Sequence, residues 1–434
     1  MNYSSLPNDK IIKIALNLSI NDINYYCQIN MRFNELICGT NSNWFWNQKF
    51  MIDFGKIDIN EIPEYYKVNN IINWKLLYQN YRTIYVFGSN YAGKLGLGDK
   101  EDRLVPTLLP PKKFGLPNVR GKLVSCGYDH TMIIDTNDNI WGMGYNGYGQ
   151  LGLNDKNIRV LPTLLPDIKA KIISCGANHT MIIDLDNNIW GMGYGYYEQL
   201  GLGGTRKIRQ PTILPNIKAK SVSCGDEHTI VIDLEDNIYV MGRNWRDQLG
   251  LGDHGSVYHP MLLPNIKGEL VACGYNHSMI IDTDGNIYVM GYNKFGQLGL
   301  GDNNNRSLPE LLPGLTAKSI SCGGDHTMII DLNNDIWVMG RNNFGQLGLD
   351  DKDDRNTPIK LVNIKQLNGK AHSITCGQNH TLIIDLDNNS WVMGKNDGGQ
   401  LGLGGGENRY QPTLLPNMKA LSGACGSDHT ILLI

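Results

Sequence analysis

The feature that most constrains this chain is a five-residue pattern, Cys-Gly-x-x-His, that recurs along most of its length. The cysteines of successive copies are 49 residues apart in every step except one, which is 54 residues long. They stand at Cys126, Cys175, Cys224, Cys273, Cys322, Cys376 and Cys425. A period near 50 residues is typical of repeat architectures in which each copy is one supersecondary unit.

Each copy has the sequence of short strands. The His is followed by Thr, or by Ser278 in one copy, and then by an apolar run such as Met132-Ile133-Ile134. A turn rich in Asp, Asn and Gly leads to a second apolar run, for example Ile140–Met143. Such pairs predict buried β-hairpins. Helices are disfavoured because Gly recurs in every copy and costs about 1 kcal/mol relative to Ala. The period and the short strands together predict a β-propeller.

A second pattern, Gly-Gln-Leu-Gly-Leu, also occurs seven times if three variants are counted. Each repeat thus has a first half, which contains Cys-Gly-x-x-His, and a second half, which contains Gly-Gln-Leu-Gly-Leu. The repeat region begins with a second half, whose strand is Ile84–Phe87, whereas the chain ends with a first half, Cys425–Ile434. Pairing the two would remove two open sheet edges, which otherwise invite aggregation. We therefore predict a mainly β chain in which residues 84–434 form a seven-bladed propeller, with Ile431–Ile434 beside Ile84–Phe87.

An aromatic residue stands at one equivalent place in each copy. These residues are Tyr85, Trp141, Trp190, Tyr239, Tyr288, Trp337 and Trp391. Large flat side chains at a fixed depth predict packing between neighbouring blades.

The two patterns at this spacing resemble those of the regulator of chromosome condensation repeat family. The resemblance covers about 350 residues and recurs seven times. It implies a seven-bladed propeller, and the founding member of the family is a guanine-nucleotide exchange factor for the small GTPase Ran.

Residues 1–50 lack the repeat and suggest a small helical module. Asp9 can cap a helix from Lys10. Ile11, Ile14, Ala15 and Leu18 would form its core face, and Ile12 and Leu16 a second apolar stripe. Leu6-Pro7, this helix and Trp44 resemble an F-box. That resemblance implies docking onto the Skp adaptor of cullin ubiquitin ligases. The contacts it implies are Leu6, Pro7, Ile12 and Leu16.

Residues 51–83 are expected to be a helical linker. The run from Ile71 to Tyr78 predicts one more helix, placed between the F-box-like module and the first strand of the repeats.

The recurrent residues do not predict a metal site, a cofactor or a catalytic group. Each copy supplies one Cys and one His, whereas a structural zinc site needs four convergent ligands. The Asp-rich turns lack the terminal Glu of a calcium loop, and the Gly-rich stretches lack the Lys-Ser/Thr of a phosphate loop. Nine cysteines at long intervals do not form a disulfide framework, so reduced thiols are expected. We predict a chain without enzymatic activity.

Composition and charge restrict the classes of partner and the cellular location that we expect. Charged residues make up 19% of the chain and the net charge is −3, which does not predict nucleic-acid binding. The polar N-terminus is not a signal peptide, and no run of about 18 apolar residues occurs. We expect a monomer in the cytoplasm or nucleus that does not bind a membrane. Frequent Asn, Ile, Tyr and Lys suggest an AT-rich genome, such as that of a protist or a large DNA virus.

Recognition is expected at the variable positions of the repeats. Those inside Cys-Gly-x-x-His are often acidic, and those before Gly-Gln-Leu-Gly are often aromatic or basic, the types enriched at binding hot spots. The alternative is that these side chains only pack along loops. The candidates are Asp129, Tyr148, Tyr197, Asp226, Glu227, Trp245, Arg246, Phe295, Asp325, Phe344 and Asp428.

Three functions follow from these features. The first is a substrate adaptor that joins a Skp-type protein to a target held by the propeller. The second is nucleotide exchange on a Ran-like GTPase, or a chromatin-associated role like that of the regulator of chromosome condensation. Four consecutive steps of 49 residues, however, leave little room for the wedge-like insertion of the founding member. The third is a purely structural scaffold.

Overall fold

The computed structural model describes the repeat region and a few residues before it. The described residues are 83–109, 119–204, 206–362, 367 and 369–434, with Ile12, Ala15, Phe45, Trp46, Lys49, Lys67–Val68 and Ile71–Ile72. The chain divides into two compact units, residues 1–81 and 82–434. Among the described residues, no helix is both long enough and apolar enough to cross a bilayer.

In the first unit, five described residues are helical and four form a small hairpin. Ile12, Ala15, Phe45, Trp46 and Lys49 have helical backbones, and Ala15 is buried as expected for the core face. Of the proposed adaptor contacts, Leu6, Pro7 and Leu16 lie outside the described residues.

The helix predicted from Ile71 is wrong at its first two residues. Strand β1 (Lys67–Val68) pairs antiparallel with β2 (Ile71–Ile72). Isoleucine is β-branched, and an Asn-Asn dipeptide separates the two pairs of residues in the sequence. Both features favour a tight hairpin over a helix.

Strands dominate the second unit. Its first twelve, in chain order, are β3 (Ile84–Gly88), β4 (Arg103–Leu108), β5 (Gly121–Cys126), β6 (His130–Asp135), β7 (Asn139–Gly144), β8 (Arg159–Cys175), β9 (His179–Asp184), β10 (Asn188–Tyr194), β11 (Lys207–Cys224), β12 (His228–Asp233), β13 (Asn237–Gly242) and β14 (Val257–Cys273). The remainder are β15 (His277–Asp282), β16 (Asn286–Gly291), β17 (Arg306–Cys322), β18 (His326–Asp331), β19 (Ile336–Gly340), β20 (Arg355–Lys360), β21 (Ala371–Cys376), β22 (His380–Asp385), β23 (Asn389–Gly394), β24 (Arg409–Lys419), β25 (Ser422–Cys425) and β26 (His429–Leu433).

Within the described residues, backbone pairing groups these strands into seven antiparallel sheets of four. The sheet of β5, β6 and β7 is completed by the first part of β8, where Trp141 pairs with Leu164. The last part of β8 starts the next sheet, where Ser174 pairs with Met181. Strands β11, β14 and β17 are shared between neighbouring sheets in the same way. Each repeat therefore contributes strands to two consecutive sheets.

The pairing predicted between the two ends of the repeat region is confirmed. Strand β26 lies antiparallel to β3, with Ile431 opposite Val86 and Leu433 opposite Ile84. The backbone of Thr83 donates to the Ile434 carbonyl at 2.9 Å and accepts from the Ile434 amide at 3.0 Å. Strand β26 thus completes the sheet that β3, the first strand of the repeat region, begins.

The aromatic residue of each copy packs between neighbouring sheets, as predicted. Trp141 lies in one buried cluster with Ile84 and Ile431 of the preceding sheet. Its indole nitrogen donates to the Asp135 carboxylate at 2.9 Å. This contact satisfies the buried polar end of a side chain that otherwise fills the core.

A ring of hydrogen bonds joins all seven sheets. The imidazole Nε2 of His130 bonds the hydroxyl of Thr180, the equivalent Thr of the next copy, at 3.0 Å. The same bond recurs around the ring until His429 bonds Thr131 at 3.0 Å. The intermediate pairs are His179–Thr229, His228–Ser278, His277–Thr327, His326–Thr381 and His380–Thr430.

The direction of these bonds follows from the second hydrogen bond that each hydroxyl makes. The Thr180 hydroxyl donates to the backbone carbonyl of Gln150 at 2.9 Å, so it must accept from His130. Each ring histidine therefore carries a proton on Nε2. Burial keeps the ring neutral, because it lowers the pKa of His130 to about 3.

The glycine after each cysteine makes room for this histidine. A Cβ on Gly127 would lie 2.2 Å from Cε1 of His130 and 2.6 Å from the Gly176 carbonyl oxygen of the adjacent sheet. Any larger residue would displace the ring histidine, which explains why Gly and His recur together.

The cysteines belong to the same scaffold. Cys175 is buried, and its thiol donates to the Ser125 carbonyl of the neighbouring sheet at 3.5 Å. Burial raises its pKa to about 12, so the thiol stays protonated. Among the described residues, all seven cysteines are free thiols, as expected. Cys27 and Cys38 lie outside the described residues.

Candidate functional site

Both sets of variable positions lie at one end of the sheets. The first set is in the loop between the first and second strand of each sheet, and the second set follows the third strand. The amide of Tyr145, after β7, donates to the Asp129 carbonyl at 2.7 Å. Arg243 and Glu227 are joined in the same way at 2.8 Å. We call this end the loop face.

The Gly-Gln-Leu-Gly pattern shapes the outer loops of the loop face. The side-chain carbonyl of Gln199 accepts from the Tyr197 amide at 3.1 Å, and Gln297 holds Phe295 in the same way at 3.0 Å. Both glutamines are fully buried. The recurrent Gln therefore fixes the backbone of the variable residue two positions before it.

Aromatic side chains form an arc of two groups across part of the loop face: six rings contact one another from Tyr145 to Trp245, and Arg246, the residue after Trp245, stacks on the second group, Tyr292 and Phe295. The rings of Tyr148 and Tyr194 have centroids 4.8 Å apart, and those of Tyr197 and Trp245 are 5.6 Å apart. Trp245 is 55% exposed, so the arc presents a large aromatic surface to solvent. We define the aromatic arc as Tyr145, Tyr148, Tyr194, Tyr196, Tyr197, Trp245, Tyr292 and Phe295.

Cationic side chains lie over these rings. The guanidinium of Arg243 is 4.1 Å from the centroid of Trp245 and 5.0 Å from that of Tyr197. Other pairs follow the arc at 4.7–5.9 Å, a distance at which a cation is attracted to an aromatic face. They are Lys207 over Tyr148, Arg206 over Tyr196, Arg246 over Tyr292, Lys294 over Phe295 and Arg341 over Phe295.

Most of the predicted acidic residues are already paired. Asp129 forms an ion pair with the buried Lys94 at 2.9 Å. Glu227 pairs with Arg243, and Asp325 with Arg341 at 3.4 Å. Asp428 lies 3.3 Å from Lys395. These four carboxylates therefore hold the basic residues of the loop face in place and are not free to bind a partner's cation.

Asp226 differs from the other four. Among the described residues it has no ion-pair partner, and it lines a cavity of about 320 Å³. The cavity is lined by the ends of the innermost strands of all seven sheets, including the seven cysteines. Burial, followed by the nearby Glu227, raises the pKa of Asp226 to about 6.

Of the remaining predicted residues, all but one belong to the arc or its cations. Phe344 lies in the next outer loop, where its amide donates to Gln346 at 3.0 Å. It has no ring partner within the described part of the chain. The same part contains no cluster of three or more His, Cys, Asp or Glu side chains that could hold a metal.

The residue that follows the recurrent glycine at the end of the third strand was not among the predicted site residues. Tyr145, Tyr194, Arg243, Tyr292, Arg341 and Lys395 occupy this position. The available signal was that this position varies in type while the two residues before it are nearly always Met-Gly. Its side chains supply three of the eight arc rings and most of the cations that pair with the predicted carboxylates.

Seven four-stranded sheets closed on themselves, with variable loops at one end, define the β-propeller class. An RCC1-like domain model matches residues 214–434, and a model of the regulator of chromosome condensation (RCC1) repeat matches residues 83–134, 137–183 and 186–232. The chain belongs to the RCC1-like domain family.

Solved structures with the same fold include two with similar scores. Human WBSCR16 gives a TM-score of 0.72 at 21% identity, covering 81% of this chain and 98% of that one. Prp20p of Saccharomyces cerevisiae, whose structure was described with its binding to Gsp1p and histones, gives 0.72 at 20% identity, covering 82% and 91%. These identities show the fold alone.

Curated relatives match over shorter segments. The ultraviolet-B receptor UVR8 of Arabidopsis thaliana is 40% identical over 76 residues, which is 18% of this chain and 16% of the receptor. The probable E3 ubiquitin-protein ligase HERC4 of Homo sapiens is 39% identical over 83 residues, 19% of this chain and 8% of the ligase. The matched segments thus span under a fifth of either relative.

Proposed function

We propose that the repeat region is a non-enzymatic, seven-bladed protein-interaction platform, with each four-stranded sheet as one blade and the aromatic arc as the contact surface. The observation that carries this proposal is the chain of six aromatic rings in contact from Tyr145 to Trp245, followed by the pair Tyr292 and Phe295, with cations stacked on both groups. Tyr, Trp and Arg are the residues that most often dominate binding energy at interfaces. Here the buried scaffold holds them at one end of the sheets.

The charge of the arc favours an acidic partner segment. Arg206, Lys207, Arg246 and Lys294 form no ion pair with any described residue, although each lies over an aromatic ring. Carboxylates of a partner would form ion pairs with these cations, and contacts with the adjoining rings would add to the binding affinity. Nucleic acid fits less well because the ring faces are covered by cations and the inner loops carry carboxylates.

We expect Trp245→Ala with Arg246→Ala to weaken capture of the partner at least about tenfold, since two hot-spot side chains would be removed. The measurement is quantitative mass spectrometry of proteins bound from host-cell extract by wild-type and variant chains. Tyr258→Ala, which removes a tyrosine that is 58% exposed on β14, is the matched control. Equal capture by all three chains would refute the arc as the contact surface.

For the first unit, the F-box resemblance supports a substrate adaptor of a Skp–cullin ubiquitin ligase. Ile12 is half-buried in a helix, and Ala15 is buried one turn further on. Leu6, Pro7, Ile12 and Leu16 would provide the contacts with the Skp-type adaptor. The propeller would hold the target in the cytoplasm or nucleus.

We expect Ile12→Glu with Leu16→Glu to abolish co-purification with a Skp-type adaptor, because two charges would enter an apolar contact. The assay is co-expression of the full chain with the adaptor, followed by affinity purification. Trp245→Ala serves as the control and should leave adaptor binding intact. If the wild-type chain itself does not co-purify, the adaptor function is lost while the arc proposal stands.

A second candidate is nucleotide exchange on a Ran-like GTPase. It is favoured by the shared fold with Prp20p, a protein described as binding Gsp1p. A fluorescent nucleotide released from Ran faster in the presence of the full chain would establish it. No acceleration would leave the interaction platform as the function.

A further inference from the structure

The cavity at the ends of the innermost strands opens at a mouth that is surrounded by side chains of different types. The residue after each Cys-Gly surrounds it, and the seven are Tyr128, Ala177, Asp226, Tyr275, Gly324, Gln378 and Ser427. Backbone bonds connect some of them between neighbouring sheets, for example from the Tyr128 amide to the Ala177 carbonyl and from the Tyr275 amide to the Gly324 carbonyl, both at 3.3 Å. Because Ala, Gly, Gln and Ser occur at equivalent places, the scaffold does not require an acid or an aromatic there.

Two tyrosines meet at this mouth from distant sheets. Tyr128 and Tyr275 lie three sheets apart in the closed ring, yet their ring centroids are only 5.5 Å apart, with a tilt of 58°. They therefore reach toward each other across the mouth. The Tyr275 hydroxyl is buried and makes no hydrogen bond of normal geometry among the described residues.

Asp226 brings a carboxylate to the same place. It lies beside the Tyr128 hydroxyl, and no Lys, Arg or His lines the cavity among the described residues. Buried carboxylates and hydroxyls are normally paired. Here the half-buried Asp226 carboxylate has no ion-pair partner and the Tyr275 hydroxyl has only the Tyr128 hydroxyl beside it, and both residues border about 320 Å³ of space.

We propose that this cavity binds a cationic nitrogen group, an amine or a guanidinium, with Asp226 as its counter-ion and Tyr128 and Tyr275 as its walls. A carboxylate accepts charge-assisted hydrogen bonds from such a group. The faces of the tyrosine rings attract the same charge. An anion would meet the Asp226 carboxylate without any compensating cation, and the thiols that line the cavity remain neutral because burial raises the pKa of Cys175 to about 12.

The cationic group could belong to a free small molecule or to a Lys or Arg side chain of a bound protein. The two sources present the same chemistry to Asp226 but differ in size. A free butylguanidinium ion tests the first source. The peptide Gly-Gly-Arg-Gly-Gly, with blocked ends, tests the second.

The test is isothermal titration calorimetry of the full chain with butylguanidinium, with the peptide, and with neutral butylurea as the matched ligand control. We expect at least one cation to bind and butylurea not to bind. Asp226→Asn should weaken the cation about tenfold or more, because a charge-assisted pair is lost. Tyr275→Ala should weaken it as well, since it removes one wall. Asp186→Asn, in an exposed turn, should change nothing.

The possible results distinguish a free small molecule from a partner's side chain, and they also show whether the cavity binds a cation at all. Binding of butylguanidinium without the peptide indicates a small-molecule site, whereas binding of the peptide, alone or together with butylguanidinium, indicates a side chain from a partner. Equal affinity in wild type and Asp226→Asn, or no binding of either cation, would overturn the proposal. Melting temperatures of the variants distinguish a lost site from a lost fold. The outcome does not depend on the aromatic arc, which these variants leave intact.

Discussion

Acid should unfold this protein cooperatively between about pH 6 and pH 5, well before its carboxylates are protonated. The cause is the ring of seven histidines. Burial lowers the pKa of His130, His179, His228 and His326 to about 3, and that of His277 and His380 to about 4. Burial also places the pKa of His429 well below its usual value of 6.5.

The sign follows from comparing the folded and unfolded chains. Each ring histidine binds a proton in the unfolded chain below pH 6.5 but stays neutral in the folded one, so stability falls as the pH is lowered through this window. At pH 5.5 each histidine costs about 1.4 kcal/mol, or about 10 kcal/mol for the ring. A folded domain is typically stable by about 5–15 kcal/mol. Asp226, with a folded pKa of about 6, acts in the opposite direction, but it is one group against seven.

Urea titrations followed by tryptophan fluorescence at a series of pH values measure this effect. The midpoint should fall steeply below pH 6.5, with an uptake of several protons on unfolding. His277→Asn should be less stable at pH 7 and show a shallower pH dependence, because one titrating group is gone. His372→Asn, at an exposed histidine outside the ring, should follow wild type. A urea midpoint that is the same at pH 7 and pH 5 would contradict the assignment of neutral ring histidines.

Removal of residues 422–434 should have an equally large effect. It deletes β25 and β26, so that β3 loses its partner and the buried side chains of Ile84 and Val86 lose the strand that covers them. Each large apolar side chain exposed costs about 2–3 kcal/mol, and the open edge of β3 invites intermolecular pairing. We expect an aggregated product without a cooperative melting transition.

Size-exclusion chromatography and thermal melting of the truncated chain provide the measurement. Leu421→Ser changes the residue at the truncation point, which is 43% exposed, and should behave as wild type. A soluble, monomeric truncation product with an unchanged melting temperature would show that the closing strands are dispensable.

Much of the fold could be predicted because its signals repeat. The recurring apolar runs gave strands in the right places, and the mismatch of half-repeats at the two ends predicted that β26 pairs with β3. Trp141 and its equivalents were predicted to pack between sheets because large aromatic side chains that recur at one depth of a sheet usually fill the space between that sheet and its neighbour. The hairpin at Ile71 was missed because it occurs once and an apolar run of this length also fits a helix.

The site was harder to predict because its contacts join residues that are far apart in the sequence. The hydroxyl of Thr180 meets His130 of the preceding copy, 50 residues away. Glu227 is paired with Arg243, so its charge does not make it a free binding group. Asp226 differs from the other predicted acidic residues because it lies beside Tyr128 and Tyr275. These two tyrosines are far apart in the sequence and come together only when the ring of sheets is closed.

The pairing of β3 with β26 also sets when the protein can finish folding in the cell. The Thr83 hydroxyl and the Ile434 carbonyl, which meet at 3.4 Å, are 351 residues apart. Ribosomes add about 5–20 residues per second, so β3 waits roughly 20–70 seconds for its partner. Throughout synthesis the nascent chain therefore displays an unpaired apolar strand. This interval is therefore the natural point for chaperone protection.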